Sequence, residues 1–302
     1  MRRHARLAAW LALLALLLSV VGVVWYYRLI PLVWYWNGIP DHAPGSLKLS
    51  EYRVTLEAHP IAGITANASA LTYNGETDTL FTTINNPPQI VELTREGTVL
   101  RKLPVAGVDD LEGITHIEGN LFALIDERKQ QIVRVEIDAD TRHLDAQGAP
   151  RLGLGILQSG NFGFEGVTWD EKNHRLLVAK EKRPRVFEIR GLPNLMDRQD
   201  DGEMNLQIHE WQPKQPFQYF LRDLSSLSSD DQSSRILLLS DESRLLVEYS
   251  AEGELVGLMP LWRGWHGLTA FVPQAEGVTV GRDGTVYLIS EPNLFYRFER
   301  PL

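Results

Sequence analysis

The charge of this 302-residue chain argues against nucleic acid as a partner. It carries 30 Lys and Arg against 39 Asp and Glu, a formal net charge of −9. Residues 1–28 hold four of the basic side chains and none of the acidic ones, which leaves 26 basic against 39 acidic for the remainder. Such an excess of carboxylates repels phosphate backbones and attracts cations. There is no cysteine, so the sequence holds no redox clue to the compartment.

The N-terminus predicts a membrane anchor. The basic stretch MRRHAR precedes an unbroken apolar run of 21 residues, Leu7–Tyr27. At about 1.5 Å per residue, a helix of this length spans a hydrocarbon core about 30 Å thick. Basic residues before the run and aromatic residues at its far end place the N-terminus in the cytoplasm and the remainder across the membrane. A cleaved signal peptide is the competing interpretation, but no small-x-small site follows the run.

A phrase repeats along the rest of the chain. It reads LEGITHIEGNLFALIDERKQQIVRVEI at 111–137 and returns most clearly at 164–189 and 275–298. Five copies can be aligned, and successive copies lie 43, 53, 60 and 51 residues apart. A small or acidic residue precedes the first strand of each copy: Ser69, Glu112, Glu165, Ser225 and Glu276. A polar residue ends the second strand 15 to 17 positions later: Asn86, Glu127, Glu181, Glu242 and Glu291.

The repeat predicts an all-β, five-bladed β-propeller. Each copy supplies three short strands, and a fourth strand follows the first four copies, at 98–105, 151–157, 205–211 and 254–261. The segment Glu51–Glu57 completes the last blade and removes an exposed edge. A six-bladed ring is the alternative, but the longest gap between copies is too short to hold another blade. The predicted domains are an anchor at 1–28, a juxtamembrane tether at 29–50 and the propeller at 51–302.

Three segments resemble a known family. DDLEGI, ERKQQIVRVEI and the terminal SEPNLFYRFE look like the SdiA-regulated or YjiK-like family, which includes a calcium-regulated β-propeller protein of pseudomonads. The resemblance covers about Glu51 to Glu299. It implies a propeller anchored in the bacterial inner membrane and facing the periplasm, a link to calcium, and a phytase-like relation. The chain departs from the Glu-Gly phrase at Ser69-Ala70 and Ser225-Ser226, so any ligand ring drawn from that phrase is incomplete.

The acidic residues of the repeat are predicted to meet at one mouth of the central channel. Residues at one phase of each blade converge there, and crowded carboxylates must be protonated, paired with bases or bound to a cation. Oxygen ligands without His or Cys suit Ca²⁺ better than zinc. A purely structural role, as acceptors of backbone N–H groups or partners of nearby bases, is the alternative. The candidate metal ligands are Glu112, Glu165 and Glu276 in a first tier, and Glu127, Glu181, Glu242 and Glu291 in a second.

Three functions follow from these residues. The leading hypothesis is a Ca²⁺-binding module with a sensor or binding role in calcium homeostasis or signalling. The second is a calcium-dependent, phytase-like phosphoesterase, in which bases beside the second tier would bind phosphate. The third is a metal-free scaffold that binds a protein partner on its propeller face. The candidate substrate-binding bases are Arg128, Lys180, Lys182 and Arg244.

Overall fold

Two helices precede the propeller. The computed structural model describes residues 2–40, 43–155, 163–191, 206–230 and 233–301. Helix α1 spans Arg2–Tyr26 and helix α2 spans Leu29–Asn37. Within α1, Arg6–Tyr26 is long and apolar enough to cross a membrane. The predicted tether at 29–50 therefore begins with a helix, because apolar residues of α2 find a core to pack against: Leu32 is buried among residues of blades three and four.

The rest of the described chain forms five sheets, which are antiparallel apart from one short parallel pair. The strand β1 (Arg53–Pro60) follows a short 3-10 turn at Leu49–Glu51. The first blade contains β2 (Ala68–Asn74), β3 (Thr79–Ile84), β4 (Gln89–Leu93) and β5 (Val99–Ala106). The second contains β6 (Leu111–Glu118), β7 (Leu121–Asp126), β8 (Gln131–Glu136) and β10 (Arg151–Gly153), while β9 (Leu144–Asp145) pairs parallel to β5. The third contains β11 (Phe164–Asp170), β12 (Arg175–Lys180), β13 (Arg185–Arg190) and β14 (Gln207–Glu210).

The last blade joins the two ends of the propeller. A second 3-10 turn, Phe217–Tyr219, leads into the fourth blade. That blade contains β15 (Ser226–Asp230), β16 (Arg235–Ser240), β17 (Leu245–Tyr249) and β18 (Leu255–Pro260). The fifth contains β19 (Ala275–Val280), β20 (Val286–Ser290) and β21 (Leu294–Glu299), and β1 pairs antiparallel with β21 as its outer strand. The five-bladed ring and its closing strand are confirmed; the predicted strand positions 156, 157 and 205 lie outside the described residues.

The five inner strands line one axis. Strands β2, β6, β11, β15 and β19 each contact the inner strands of both neighbouring blades, so the ring is continuous. The glycine of the repeated phrase allows this close approach. A Cβ at Gly277 would lie 2.8 Å from the backbone carbon of Ala70 and the nitrogen of Leu71 in the first blade. At Gly166 it would lie 2.8 Å from a methyl group of Leu227 in the fourth blade.

A hydroxyl of each inner strand joins one blade to the next. At four of the five junctions the hydroxyl belongs to a threonine three residues after the opening position. It accepts a hydrogen bond from a backbone N–H of the following blade. The bonds run to Thr72 from His116 (3.2 Å), to Thr115 from Trp169 (3.0 Å), to Thr168 from Ser229 (2.9 Å) and to Thr279 from Tyr73 (3.1 Å). At the remaining junction Ser226 accepts from Val278 at 3.3 Å. The role predicted for the glutamates, accepting backbone N–H groups of the next blade, is filled at these five junctions by hydroxyl groups; among the repeat glutamates, Glu127 also accepts such a bond, from Gly163.

We expect Thr115→Val to destabilise the propeller, because it leaves the buried Trp169 N–H without its acceptor while keeping the shape of the side chain. An unsatisfied buried donor costs about 1–3 kcal/mol. Chemical denaturation of the full-length protein in detergent measures the loss. Thr115→Ser keeps the hydroxyl and is the matched control. Equal stability of the Val variant and the wild type would contradict this role for the hydroxyl.

Candidate metal site at one mouth of the channel

The end of the channel at which the inner strands begin is rich in carboxylates, and we call it the acidic mouth. Glu112, Glu165 and Glu276 are each the second residue of an inner strand, β6, β11 and β19 respectively. In addition to burial, the negative charges of Glu112 and Glu276 both contribute to raising the pKa of Glu165, so the three carboxylates lie close enough to repel one another. The structure thus brings the first tier together, as the sequence predicts.

Among the described residues, one group of clustered carboxylate oxygens includes members of both tiers. One carboxylate oxygen from each of Asp110, Glu112 and Glu127 lies within 4.8 Å of the other two. Asp110 is in the loop that enters β6, and Glu127 directly follows β7. The backbone N–H of Glu127 donates to the carbonyl of Asp110 at 2.9 Å, which holds these two segments side by side.

The carboxylates of this group accept few described hydrogen bonds, and Glu112 is also hydrogen-bonded to Ser69. Glu112 accepts from the amide of Asn85 at 2.7 Å, and Glu127 accepts from the backbone N–H of Gly163 at 3.0 Å. Asp110 accepts from Arg128 at 3.2 Å. A carboxylate can accept several hydrogen bonds, so each side chain retains oxygen lone pairs for another ligand.

Burial and mutual repulsion favour the protonated forms at the acidic mouth. Burial, followed by the negative charge of Glu112, raises the pKa of Glu127 to about 7. Burial and the charges of Asp241 and Glu112 raise the pKa of Glu276 to about 9. The pKa of Glu165 is well above its usual value for the same two reasons. Burial also raises the pKa of Glu112 and of Glu291.

Two members of the second tier are neutralised by bases instead. The ammonium group of Lys182 lies 2.6 Å from Glu181 and 2.8 Å from Glu242, and Arg222 lies 3.0 Å from the other oxygen of Glu242. Burial alone would raise the pKa of Glu242, but the hydrogen bond and charge of Lys182, together with Arg222, lower it. The ion-pair interpretation therefore describes Glu181 and Glu242, whereas no such pair is described for Glu127 or Glu291.

The four predicted phosphate-binding bases have different partners. Arg128 is mostly exposed and reaches Asp110, while Lys182 is held between two glutamates. Lys180 is buried, and burial lowers its pKa. Arg244 lies over the ring of Phe271, with 5.3 Å between the guanidinium carbon and the ring centroid. Lys182 and Arg128 are thus each engaged by carboxylates of the acidic mouth.

Sequence reasoning missed three aspartates at this mouth. Asp110 belongs to the oxygen cluster, while Asp223 accepts from the backbone N–H of Glu242 at 3.2 Å and Asp241 from that of Ala275 at 3.2 Å. A signal existed for two of them, because an aspartate stands two residues before the opening position in both the second and the fourth copies. Asp223 holds two loops of the fourth blade together, while Asp241 joins the fourth blade to the fifth.

The oxygen cluster fits a hard divalent cation. Ca²⁺–oxygen bonds of about 2.3–2.6 Å allow two ligands of one ion to lie up to about 5 Å apart, which accommodates the 4.8 Å separation. Three carboxylates supply both charge and oxygen, the donor set that such cations prefer. Asp110, Glu112 and Glu127 could therefore hold a metal ion.

Comparisons with known proteins agree with the fold. The chain is similar to a structure titled "Luciferin-regenerating enzyme", with 10% identity and a TM-score of 0.51 over 81% of this chain and 95% of that chain. It is also similar to a streptogramin B lyase structure, with 12% identity and a TM-score of 0.50 over 85% of this chain and all of that chain. At these identities the likeness shows the fold alone. The family model described as "SdiA-regulated" matches residues 44–299, most of the chain, so this protein belongs to the SdiA-regulated family.

Proposed function

We propose that this protein is a membrane-anchored propeller that binds Ca²⁺ at its acidic mouth and has a sensor or binding role in calcium homeostasis or signalling. One observation carries the proposal: carboxylates from several blades are crowded at one mouth, with three oxygens within 4.8 Å. The raised pKa values of Glu127, Glu165 and Glu276 show that burial opposes their negative charge. A bound divalent cation would compensate the negative charge of these carboxylates, so that they need not be protonated.

The bases near the acidic mouth support binding over catalysis. Phosphoester hydrolysis needs positive groups that converge on the transferred phosphate. Lys182 is occupied by Glu181 and Glu242, and Arg128 contacts Asp110. The described side chains therefore favour a role in which the cation itself is the ligand.

Contacts at the end of α1 support an anchor that remains attached. The guanidinium of Arg222 lies 3.7 Å from the ring centroid of Tyr26, the last residue of α1. Arg28 donates to the backbone carbonyls of Gln218 and Leu221 in the connection before the fourth blade. The basic residues before the apolar run put the N-terminus in the cytoplasm. We accordingly propose that α1 spans the inner membrane and that the propeller faces the periplasm.

We expect the double substitution Glu112→Gln and Glu127→Gln to weaken calcium binding at least about tenfold, because it removes two of the three clustered carboxylates. Isothermal titration calorimetry on the full-length protein in detergent measures the affinity. The matched control is Glu118→Gln, which changes the last residue of the same strand, β6, at the opposite end of the channel. Equal calcium affinities of the double variant and the wild type would exclude the proposed site.

We also expect calcium to stabilise the protein more as the pH rises. The raised pKa values mean that, without metal, the folded chain binds more protons than the unfolded chain. The free energy of unfolding then falls as the pH rises from the usual glutamate value of 4.5 towards the value of about 9 for Glu276. Calcium replaces those protons, so its stabilising effect grows over the same window.

Thermal unfolding of the full-length protein, followed by tryptophan fluorescence with a chelator or with calcium, measures both trends. The melting temperature with chelator should fall by several degrees between about pH 5 and about pH 9. The Glu276→Gln variant should show a shallower fall, because its side chain no longer ionises. If adding calcium raised the melting temperature by the same amount at every pH, the proposed exchange of protons for the cation would be contradicted.

A further inference from the structure

The inward face of α2 is fixed against the propeller. The sequence of this helix, LIPLVWYWN, contains no charged residue. Leu32 is buried in the core between the third and fourth blades, and Leu29, Tyr35 and Trp36 pack against the same cluster. The ring of Tyr35 lies 5.2 Å from that of Phe220, and the ring of Trp36 lies 5.4 Å from that of Trp265. These contacts fix which side of α2 faces outward.

The outward face of α2 is apolar and uncovered. Ile30, Val33 and Trp34 are spaced at i, i+3 and i+4, so they share one side of the helix, and they are 55–78% exposed. A helix on a water-facing surface ordinarily carries polar residues on its outward side. The composition of α2 is instead that of a helix surrounded by apolar material on both sides.

Large side chains of the propeller extend this uncovered face. Tyr219 stacks beside Tyr35 with 6.3 Å between ring centroids, and Trp265 lies beside Trp36. Phe271 is in the same loop as Trp265, between β18 and β19. All three propeller side chains are 44–59% exposed. We call the six residues the docking surface: Ile30, Val33, Trp34, Tyr219, Trp265 and Phe271.

Cationic side chains lie at the rim of the docking surface. Arg28 and Arg222 share a groove with Tyr219 and with Trp25 and Tyr26 at the end of α1. Arg244, elsewhere on the rim, lies over the ring of Phe271. Guanidinium groups beside an aromatic and aliphatic surface match the boundary between lipid phosphates and acyl chains, where aromatic side chains also concentrate.

We infer that the docking surface lies in the headgroup boundary of the bilayer that α1 spans. This inference rests on the membrane anchoring in the proposed function. Only Tyr27 and Arg28 separate the end of α1 from the start of α2, so the docking surface is held within a few residues of the bilayer. Membrane lipid therefore covers an apolar surface that is continuous with the membrane-spanning helix.

The acidic mouth is on the membrane side of the propeller as a consequence. Arg222 contacts both Tyr26 of α1 and Glu242 of the mouth, and Arg244 belongs to the same turn as Glu242. Anionic headgroups give a membrane surface a negative potential that concentrates cations within a Debye length. The docking surface would therefore position the acidic mouth where divalent cations are enriched.

Because the chain has no cysteine, single spin labels can test the docking surface directly. The variants Phe271→Cys and Tyr219→Cys each place one nitroxide label on the docking surface. Leu100→Cys is the matched control: its side chain is 51% exposed, close to the 54% of Phe271, and it lies near Glu76 and Gly119, at the opposite end of the channel. Full-length variants are placed in vesicles of phosphatidylethanolamine and phosphatidylglycerol. Collision rates with oxygen and with a water-soluble nickel chelate then report immersion in lipid.

We expect labels at positions 271 and 219 to collide with the nickel chelate several-fold less often than the label at 100, and more often with oxygen. If the nickel chelate reached labels 271 and 219 as readily as label 100, the inference would be overturned. A protein partner would then be the molecule expected to cover the docking surface. Flotation of the same vesicles reports the anchoring separately. Protein that floats while labels 271 and 219 remain in water contradicts the docking surface alone, whereas protein that does not float contradicts the anchor as well.

Discussion

The close packing of five inner strands about one axis is the constraint on which the rest of the structure depends. Gly166 and Gly277 leave no room for a side chain at blade contacts, and threonine hydroxyls bind the backbone of the next blade. Strand β1 closes the ring by pairing with β21. Since the blades are held in one register, the same position in each repeat lies at the same height in the channel. Glutamates more than forty residues apart therefore meet at one mouth.

That convergence has an electrostatic cost, which the protein reduces in two ways. Around Glu181 and Glu242, bases from the third and fourth blades supply compensating charge through Lys182 and Arg222. At Glu127 and Glu276 protonation reduces the negative charge instead, and the raised pKa values of both groups favour it. Only the second arrangement leaves carboxylates that could exchange protons for a cation. The mouth is thus divided into a part whose charges are paired with bases and a part that could hold a metal ion.

Much of the fold could be predicted from the sequence because a propeller repeats its local pattern. The spacing of the five copies predicted the blades, and the unpaired segment Glu51–Glu57 predicted the closing strand, which the structure places at Arg53–Pro60. The convergence of Glu112, Glu165 and Glu276 followed from the same periodicity. Helix α2 was not predicted, because its nine residues form a helix on a tertiary surface that is not apparent from their own pattern.

The partners of the acidic residues were less predictable, because they depend on side-chain direction. Lys182 follows Glu181 in the third blade, yet it also reaches Glu242 of the fourth, a contact that spacing alone does not indicate. Asp110 joins Glu112 and Glu127 because a backbone hydrogen bond aligns its loop with the end of β7. Local periodicity predicts which residues approach one mouth, while the packing between blades decides which of them remain available to a ligand.

Anomalous diffraction from crystals of the full-length protein grown with calcium tests the central claim most directly. A cation held by the acidic mouth predicts an anomalous peak in contact with the carboxylates of Asp110, Glu112 and Glu127. Calcium peaks only elsewhere on the protein, with those three side chains bonded to one another or to water, would contradict it.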